Sequence, residues 1–382
     1  MQKTLPKTAE RKFVRNITLK ALVLFVILNL VFALSNLLPT LGHLSAYNII
    51  FPGRLRLPYG DLPDLAYNLS LFQLDAMLAS HEIAENVIAT DEYRVVVIGD
   101  SASWGFLLRP EETMAAQIHT SGYVTSDGRQ VKAYNLGYPT MSLMKDLLML
   151  DRALVFKPDL VVWLVTLESF PREKQLSSPI LQHNPVPVRD LIRKHNLDLD
   201  MNAPTVVDPA FWDQSIEGKR RTLADMLHLQ FYGVMWAATG IDQFYPDTYE
   251  VRMEDLPADE TFHDFRPPSL PPDALAFDVL DAGVELAGET PVLIVNEPVF
   301  VSQGENSDIR YNYYYPRWAY DQYREEMAQL SQSQDWLFMD LWDAVPSSEF
   351  TNTAIHLTPQ GSTLLANIVG NAILYYADQI SY

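Results

Sequence analysis

Ser101 and His356 are two residues of this chain whose side chains could together carry out covalent catalysis. Ser101 ends a Gly-Asp-Ser tripeptide that follows an apolar run, and His356 opens a His-Leu-Thr-Pro sequence near the other end of the chain. A serine hydroxyl is a weak nucleophile until a neighbouring base takes its proton, and a histidine imidazole is suited to that task near neutral pH. The two residues therefore predict a nucleophile and its general base.

Buried parallel strands are the elements that must position these two residues. Residues 95–98 form an uninterrupted β-branched run, which is typical of a strand covered on both faces, and Gly99 allows a sharp turn directly after it. Ligand crevices in open α/β sheets lie at the carboxyl ends of the strands, which is where Ser101 stands. Further strands are predicted within residues 133–137, 158–165, 290–298 and 336–340, and a helix is predicted after His356.

The Gly-Asp-Ser and His-Leu-Thr-Pro segments resemble the first and last signature blocks of the SGNH, or GDSL-type, hydrolase superfamily. The resemblance spans about residues 91–380. In that family the serine of the first block is the nucleophile and the histidine of the last block is the general base, which maps onto Ser101 and His356. The resemblance implies a three-layer α/β/α sandwich with a mainly parallel sheet, and it implies acyl transfer through an acyl-enzyme on the serine.

The residues that would stabilise the oxyanion match the family less well. The segment around Gly137 resembles the second block, whose glycine offers a backbone N–H beside that of Ser101. After the next strand the family has Gly-x-Asn-Asp, whereas this chain has Thr166-Leu-Glu168. Because an ionised carboxylate would repel a developing oxyanion, Glu168 is expected to be protonated or turned away, or to be replaced in this role by Thr166.

The third member of the triad is also irregular. The family has an aspartate three residues before the histidine, and this chain has Thr353 there. Asn352 can hold the imidazole by a hydrogen bond, although it cannot stabilise the imidazolium as a carboxylate does. Asp340 and Asp343 are the acidic alternatives. These departures leave open a catalytically reduced protein in which the serine and histidine are merely retained.

The amino terminus predicts a membrane anchor. Residues 1–20 form a basic tail, and residues 21–38 form an uncharged apolar run whose length lies near the lower limit for crossing about 30 Å of hydrocarbon. Positive charge ahead of the run predicts a cytoplasmic amino terminus and a catalytic domain outside the cytoplasm, as in a single-pass cell-membrane protein. Ala33-Leu-Ser35 could serve as a signal-peptide cleavage site, but the run is longer than a usual signal sequence, so an uncleaved anchor is favoured.

Charge and composition exclude several classes of function. The chain has 28 basic and 48 acidic side chains, a net charge of −20, and the basic tail leaves −25 for the remainder. Such an acidic surface does not suit nucleic acid, whose recognition needs basic patches. The chain has no cysteine, which excludes disulfides and thiolate metal sites. No histidine pair or acidic loop has the spacing of metal ligands, so we expect neither a metal nor another cofactor.

The domain organisation follows from these segments. Residues 39–90 are predicted to connect the anchor to a catalytic domain at residues 91–382. Within that domain, residues 171–272 hold 12 of the 25 prolines, which indicates an irregular insertion. The apolar segment 220–240 in this insertion has too few uninterrupted apolar residues for a second span. It is predicted to be a helix that lies either at the membrane surface or, the favoured alternative, buried against the domain.

The aromatic run between Tyr311 and Tyr323 follows the end of the fourth predicted strand, and it has two interpretations. Aromatic faces can stack on sugar rings while neighbouring amides and charges bind hydroxyls, so the run could form a carbohydrate-binding wall. The alternative is that these side chains pack the insertion onto the core.

The membrane anchor extends what the family resemblance implies. The layout is similar to that of superfamily members that move acetyl or alanyl groups on cell-envelope polymers, often beside a multispanning membrane acyltransferase. It implies an extracytoplasmic serine esterase or O-acyltransferase that acts on acyl esters of an envelope polysaccharide, with that acyltransferase as a partner. The contrasting hypothesis is a non-catalytic glycan-binding or assembly protein of the same fold.

Overall fold

Five parallel strands form the centre of the fold: Glu92–Ile98 (β1), Gln130–Asn135 (β2), Leu160–Val165 (β3), Val292–Asn296 (β4) and Leu337–Asp340 (β5). The computed structural model describes residues 7–35, 37–60, 65–84 and 88–380. The strands lie in the spatial order β2-β1-β3-β4-β5, and every neighbouring pair is parallel. All five strands predicted from the apolar runs are present.

Helices connect and cover the strands. In the described part of the chain the α-helices are Lys7–Ser35 (α1), Leu37–Gly42 (α2), Leu74–Ala79 (α3), Ser101–Trp104 (α4), Met114–Thr120 (α5), Leu143–Ala153 (α6), Pro179–Gln182 (α7), Pro185–Lys194 (α8), Arg220–Thr239 (α9), Phe277–Ala287 (α10), Arg317–Ser333 (α11) and Pro359–Ile380 (α12).

Two hydrophobic cores lie on opposite faces of the sheet. Side chains alternate along a strand, so Val96 and Ile98 of β1 enter one core while Val95 and Val97 enter the other. The first core is closed by α6, α8, α10 and α11, and the second by α5 and α12. Full burial of each such side chain stabilises the fold by roughly 1.5–3 kcal/mol. The predicted three-layer α/β/α sandwich is therefore confirmed.

The strand order creates a crevice at one position in the sheet. β1 has β2 on one side and β3 on the other, so the chain reverses its direction of progress across the sheet at β1. Loops that leave the carboxyl ends of strands on the two sides of such a point diverge and leave a gap for a ligand. Ser101 begins α4 three residues after the end of β1, in this gap.

The insertion at residues 171–272 contains α7, α8 and α9 and contributes no strand to the described sheet. In α9 only Leu229 and Gly233 are buried, whereas Leu227, Phe231 and Met235 are exposed. The favoured prediction that this helix is buried against the domain is therefore wrong. Its apolar residues are spaced so that one face meets the protein while another apolar face points outward.

The amino-terminal helix α1 is long and apolar enough to cross a membrane, as a membrane anchor or a signal sequence would be. The candidate span is Arg11–Ser35, with a mean hydropathy of 2.5 over its most apolar window, and most of its surface is exposed. It begins earlier than the predicted run 21–38 and ends sooner. Near its carboxyl end Asn29 Oδ1 accepts the Glu217 N–H at 3.0 Å, and Phe32 is buried. The last turns of α1 thus pack on the insertion.

Candidate active site

The nucleophile candidate is held by a short turn that only certain residues allow. Gly99 has φ +147°, and a Cβ there would lie 2.7 Å from Ser103 Oγ and 2.9 Å from the Leu164 carbonyl oxygen. Glycine is therefore needed both for the backbone angle and for the space. Asp100 caps α4 by accepting the Ala102 N–H at 2.8 Å. Ser101 is thereby presented as the first residue of that helix.

A chain of hydrogen bonds joins Ser101 to His356 and Asn352. Ser101 Oγ lies 2.9 Å from His356 Nε2, and His356 Nδ1 lies 2.9 Å from Asn352 Oδ1. Because an amide oxygen can only accept, His356 Nδ1 must carry the proton, which leaves the Nε2 lone pair to accept the serine hydroxyl. This is the tautomer that a general base requires.

The loop that carries His356 is fixed by its own threonines. Thr353 Oγ1 accepts the His356 N–H at 3.2 Å, and the Thr351 N–H donates to the His356 carbonyl at 2.8 Å. The Phe106 ring lies over the imidazole with 4.9 Å between ring centres. The imidazole is buried, and burial lowers the pKa of His356 to about 4. It is therefore neutral, and able to accept a proton, over a wide pH range.

The acidic alternatives for the third triad position lie elsewhere. Asp340 Oδ1 accepts from the Asn296 side chain at 2.8 Å, and its other oxygen pairs with Arg324 at 2.7 Å. Asp343 is exposed. Both ring nitrogens of His356 are occupied by Ser101 and Asn352. Of the three candidates, the structure brings only Asn352 to the histidine.

The oxyanion donors are only partly assembled. In the described part of the chain, the Ser101 N–H has no acceptor, so it is free to bind an oxyanion. The Gly137 N–H, predicted as the second donor, instead donates to Asn135 Oδ1 at 3.1 Å. Its role as the second oxyanion donor stays a prediction, and it requires the bond to Asn135 to be released or shared. Glycine is needed at this position because a Cβ would lie 2.8 Å from the Trp104 nitrogen.

Glu168 is ionised and paired. One of its oxygens accepts a hydrogen bond from Lys174 Nζ and the other lies 3.0 Å from His263 Nε2. Burial raises the pKa of Glu168, but the bonds from His263 and Lys174 outweigh burial and hold that pKa below its usual value. The ionised form of Glu168 is therefore favoured. Thr166 does not take its place, because the Thr166 hydroxyl is buried and bonded to the Tyr315 hydroxyl at 2.9 Å.

A buried lysine ties together the turns on either side of the nucleophile. Lys145 Nζ donates to the Gly99 carbonyl at 2.7 Å and to the Tyr138 carbonyl at 2.9 Å, and it pairs with Asp146. Burial raises the pKa of Asp146 to about 6 against the opposing charge of Lys145. Burial likewise raises the pKa of Asp100, again opposed by Lys145. The single ammonium thus offsets part of the negative charge of these carboxyl groups, and it joins the turns that follow β1 and β2.

Two clefts meet at Asn352. The first has a volume of about 250 Å³, and its lining includes Glu250, Arg252, Phe300, Asn312, Tyr313 and Tyr314. The second has a volume of about 190 Å³, and its lining includes Tyr59, Trp104, Phe106, Leu107, Phe244 and Tyr249. Apolar surface predominates in both, but the first has more charged and hydroxyl groups and is called the polar cleft below, whereas the second is called the apolar cleft. The insertion supplies a wall to each of them.

The aromatic run 311–323 divides between the two predicted roles. Tyr315, Tyr320 and Tyr323 are fully buried, and the Tyr323 hydroxyl donates to Asn296 Oδ1 at 3.1 Å, so these side chains pack the fold. Tyr313 and Tyr314 instead line the first cleft. Tyr313 and Tyr314 are therefore the residues of this run that the cleft offers to a ligand.

No metal site is present among the described residues, because no group of three histidine or acidic side chains there is placed to hold an ion.

The site residues that the sequence did not reveal are Phe106, Asn135 and Lys145. Each acts through contacts between segments far apart in the chain, which no local motif signals.

The similarity of this chain to known proteins is distant. No protein-family model and no curated protein matches the chain. Among solved structures it is similar to a protein from Desulfitobacterium hafniense assigned to the G-D-S-L family of lipolytic proteins, with 12% identity and a TM-score of 0.31, over 74% of this chain and 99% of that chain. It is also similar to a catalytic mutant of an acetylxylan esterase from Geobacillus stearothermophilus, with 12% identity and a TM-score of 0.30, over 75% and 95% of the two chains. Both likenesses are too distant to assign chemistry.

Proposed function

We propose that this protein is a serine ester hydrolase or O-acyltransferase. The observation that carries the proposal is the hydrogen-bonded series from Ser101 Oγ through His356 to Asn352, with both distances at 2.9 Å and the imidazole in the tautomer of a base. A nucleophile, a base and a group that orients the base are the parts that acyl transfer requires. The resemblance of the flanking segments to the SGNH blocks supports the same chemistry.

The reaction would proceed in two halves. Ser101 Oγ attacks the ester carbonyl carbon while His356 Nε2 takes the serine proton, and the Ser101 N–H donates to the resulting oxyanion. The tetrahedral intermediate collapses, the bond to the leaving alcohol breaks, and His356 returns the proton to that alcohol. Water or a second alcohol then attacks the acyl-serine with His356 again as the base. Asn352 keeps the imidazole oriented throughout.

The proposed substrate is an acylated carbohydrate of the cell envelope. The polar cleft supports this proposal, because Tyr313 and Tyr314 offer aromatic faces beside the side chains of Glu250 and Arg252. The apolar helix α1 supports attachment to the cell membrane with the catalytic domain outside the cytoplasm. A multispanning membrane acyltransferase is the proposed partner, on the basis of the family resemblance alone.

A fluorophosphonate probe tests the proposal on the full-length chain. Such a probe reacts with an activated serine, so labelling of Ser101 is expected, and Ser101→Ala should abolish it. His356→Ala should reduce labelling strongly, because loss of general base catalysis costs roughly 10²–10⁴-fold in rate. Ser103→Ala is a matched control, since Ser103 is a buried serine two residues away whose hydroxyl bonds to the Asp100 carbonyl. Labelling that persists in Ser101→Ala would contradict the proposal.

The second candidate is a catalytically reduced protein of the same fold that binds glycans. Two observations favour it: a neutral amide replaces the triad carboxylate, and the Gly137 N–H is engaged by Asn135. A well-folded sample that never reacts with the probe, yet binds envelope polysaccharide, would establish this candidate instead.

A further inference from the structure

The apolar cleft beside His356 has the properties of a binding site for a hydrocarbon group. Its volume is about 190 Å³, and its walls are formed mainly by Tyr59, Trp104, Phe106, Leu107 and Phe244. Gln243 and Asn352 are the polar side chains at its margin. Binding sites with such linings gain affinity by removing apolar groups from water.

The cleft lies next to the reacting groups. Phe106, one of its walls, lies over the imidazole of His356 with 4.9 Å between ring centres. Trp104 belongs to the same helix turn as Ser101, and Asn352 both lines the cleft and bonds to His356. A group attached to a carbonyl at Ser101 therefore has an apolar space immediately beside it.

Buried polar contacts hold the walls of the cleft in place. The Arg56 guanidinium binds both oxygens of Asp242 at 2.6 and 2.8 Å and lies over the Trp104 ring at 4.0 Å. Gln243 Nε2 donates to the Leu108 carbonyl at 2.8 Å and its Oε1 accepts the Leu107 N–H at 3.0 Å. The insertion is thus fastened to the loop that follows Ser101, and these contacts fix the positions of the walls of the cleft.

The volume sets the size of the group. An apolar cavity of about 150 Å³ accommodates a benzene ring, which has six carbon atoms. We infer, on the basis of the proposed ester chemistry, that this cleft takes the acyl chain of the substrate and favours acyl groups of roughly six to eight carbons. The polar cleft on the other side of Asn352 then receives the alcohol part of the ester.

This assignment specifies where the acyl and alcohol parts of the ester lie as bonds form and break. The acyl carbon, whose chain lies in the apolar cleft, forms a bond to Ser101 Oγ while its bond to the alcohol oxygen breaks. The serine proton passes to His356 Nε2 and then to the departing alcohol in the polar cleft. The acyl-serine keeps its chain in the apolar cleft until water or an acceptor alcohol takes the acyl group.

A series of p-nitrophenyl esters from acetate to dodecanoate tests the inference on the full-length chain in lipid nanodiscs. A buried methylene contributes about threefold to fourfold in rate or affinity. We expect kcat/KM to rise by about that factor for each added methylene up to roughly six to eight carbons. Longer chains should bring a decline.

Two variants locate the effect in the cleft. Ala66, a buried residue of its wall, changed to phenylalanine should fill the space and lower the ratio of hexanoate to acetate kcat/KM about tenfold. Tyr249→Ala removes an exposed wall and should lower the same ratio without stressing the core. Tyr375→Ala is the matched control, because Tyr375 is an exposed tyrosine of α12 that lines neither cleft.

The outcomes distinguish the inference from the proposed function. Highest kcat/KM with acetate, and a chain-length profile that is the same in the parent, Ala66→Phe and Tyr249→Ala proteins, would overturn the acyl-chain assignment while leaving the esterase intact. Absence of turnover with every ester, together with absence of Ser101 labelling, would overturn the esterase and the assignment with it.

Discussion

Asn352 occupies the place of the triad carboxylate but differs from it in charge. An amide oxygen fixes the tautomer of His356 as a carboxylate would, but it adds no attraction for the imidazolium that forms in the transition state. The imidazole is also buried, and burial disfavours its charged form. His356 is therefore neutral above its pKa of about 4, and in the proposed mechanism it is a weak base.

The pH dependence of turnover follows from this environment. General base catalysis needs neutral His356, so kcat/KM should hold as pH falls towards the His356 pKa of about 4 and be lost below it. Asn352→Asp adds a negative charge beside the imidazole, which raises the His356 pKa. The acidic limb of the profile should then move to higher pH by about one unit or more.

Asn371→Asp, an equivalent change at an exposed position of α12, is the control and should leave the profile in place. An unchanged acidic limb in Asn352→Asp would show that His356 is not the titrating base.

The sequence identified some candidate site residues and left others open. Ser101 and His356 stand in motifs, so they could be identified without a structure. Asn352 was one of three alternatives, because a loop of a few residues does not reveal which side chain turns towards the imidazole. The acceptor of the Gly137 N–H could not be predicted, since it is a side chain of β2 whose orientation no local pattern records.

At the scale of elements, a buried ion pair couples the connecting region to the insertion. Arg56 and Asp242 are both buried, and the Tyr245 hydroxyl adds a further bond to Asp242 at 2.9 Å. The desolvated guanidinium is stabilised by its partner and by the carbonyl of Gly105 at 2.7 Å. Two segments without regular structure are thereby joined to the nucleophile helix.

Asp242→Ala should destabilise the protein strongly. Removing one partner of a buried pair leaves the Arg56 charge uncompensated, which typically costs about 3–5 kcal/mol. The free energy of unfolding, from urea denaturation, is the measurement. Asp190→Ala is the matched control, because the Asp190–Arg193 pair is exposed and such pairs contribute about 0–1 kcal/mol. Equal effects of the two substitutions would contradict the coupling.

The strands could be predicted and the insertion could not, for a physical reason. A strand buried on both faces is a run of β-branched residues, and that pattern is local. The apolar residues of α9 indicate a helix, but whether an apolar face is buried depends on what else packs there. In this fold α9 uses Gly233 to approach the ring of Tyr47 and leaves Phe231 exposed.

At the scale of the whole molecule, exposed apolar surface occurs on α1, on the turn that contacts it and on α9. α1 exposes most of its apolar residues, the turn Phe211–Gln214 beside it exposes Trp212, and α9 exposes Leu227 and Phe231. Patches of this kind mark membrane or protein contacts. The acidic side chains that give the remainder its charge of −25 do not favour an anionic membrane face, so apolar contact is the expected mode of attachment.

Topology can be measured directly. We expect the full-length protein to resist carbonate extraction from membranes, and a reporter active only outside the cytoplasm should work when fused after residue 382. A reporter active only in the cytoplasm should fail at the same position, because the basic tail retains the amino terminus inside. Reversing the charge of the tail is the control. A soluble mature protein beginning near residue 36 would instead establish cleavage after Ser35.

The bond between Asn29 and Glu217 fixes α1 to the domain that follows it. A domain on a flexible linker would take many distances from a bilayer. Here the last turns of α1 instead pack against the domain. In the proposed membrane orientation, the site would stay at one distance from the bilayer and in one orientation about the axis of α1. Each residue added to α1 ahead of Asn29 would lift Ser101 by about 1.5 Å and swing it by roughly 100° about the helix axis. In that orientation, the length of α1 would set the distance between Ser101 and the lipid.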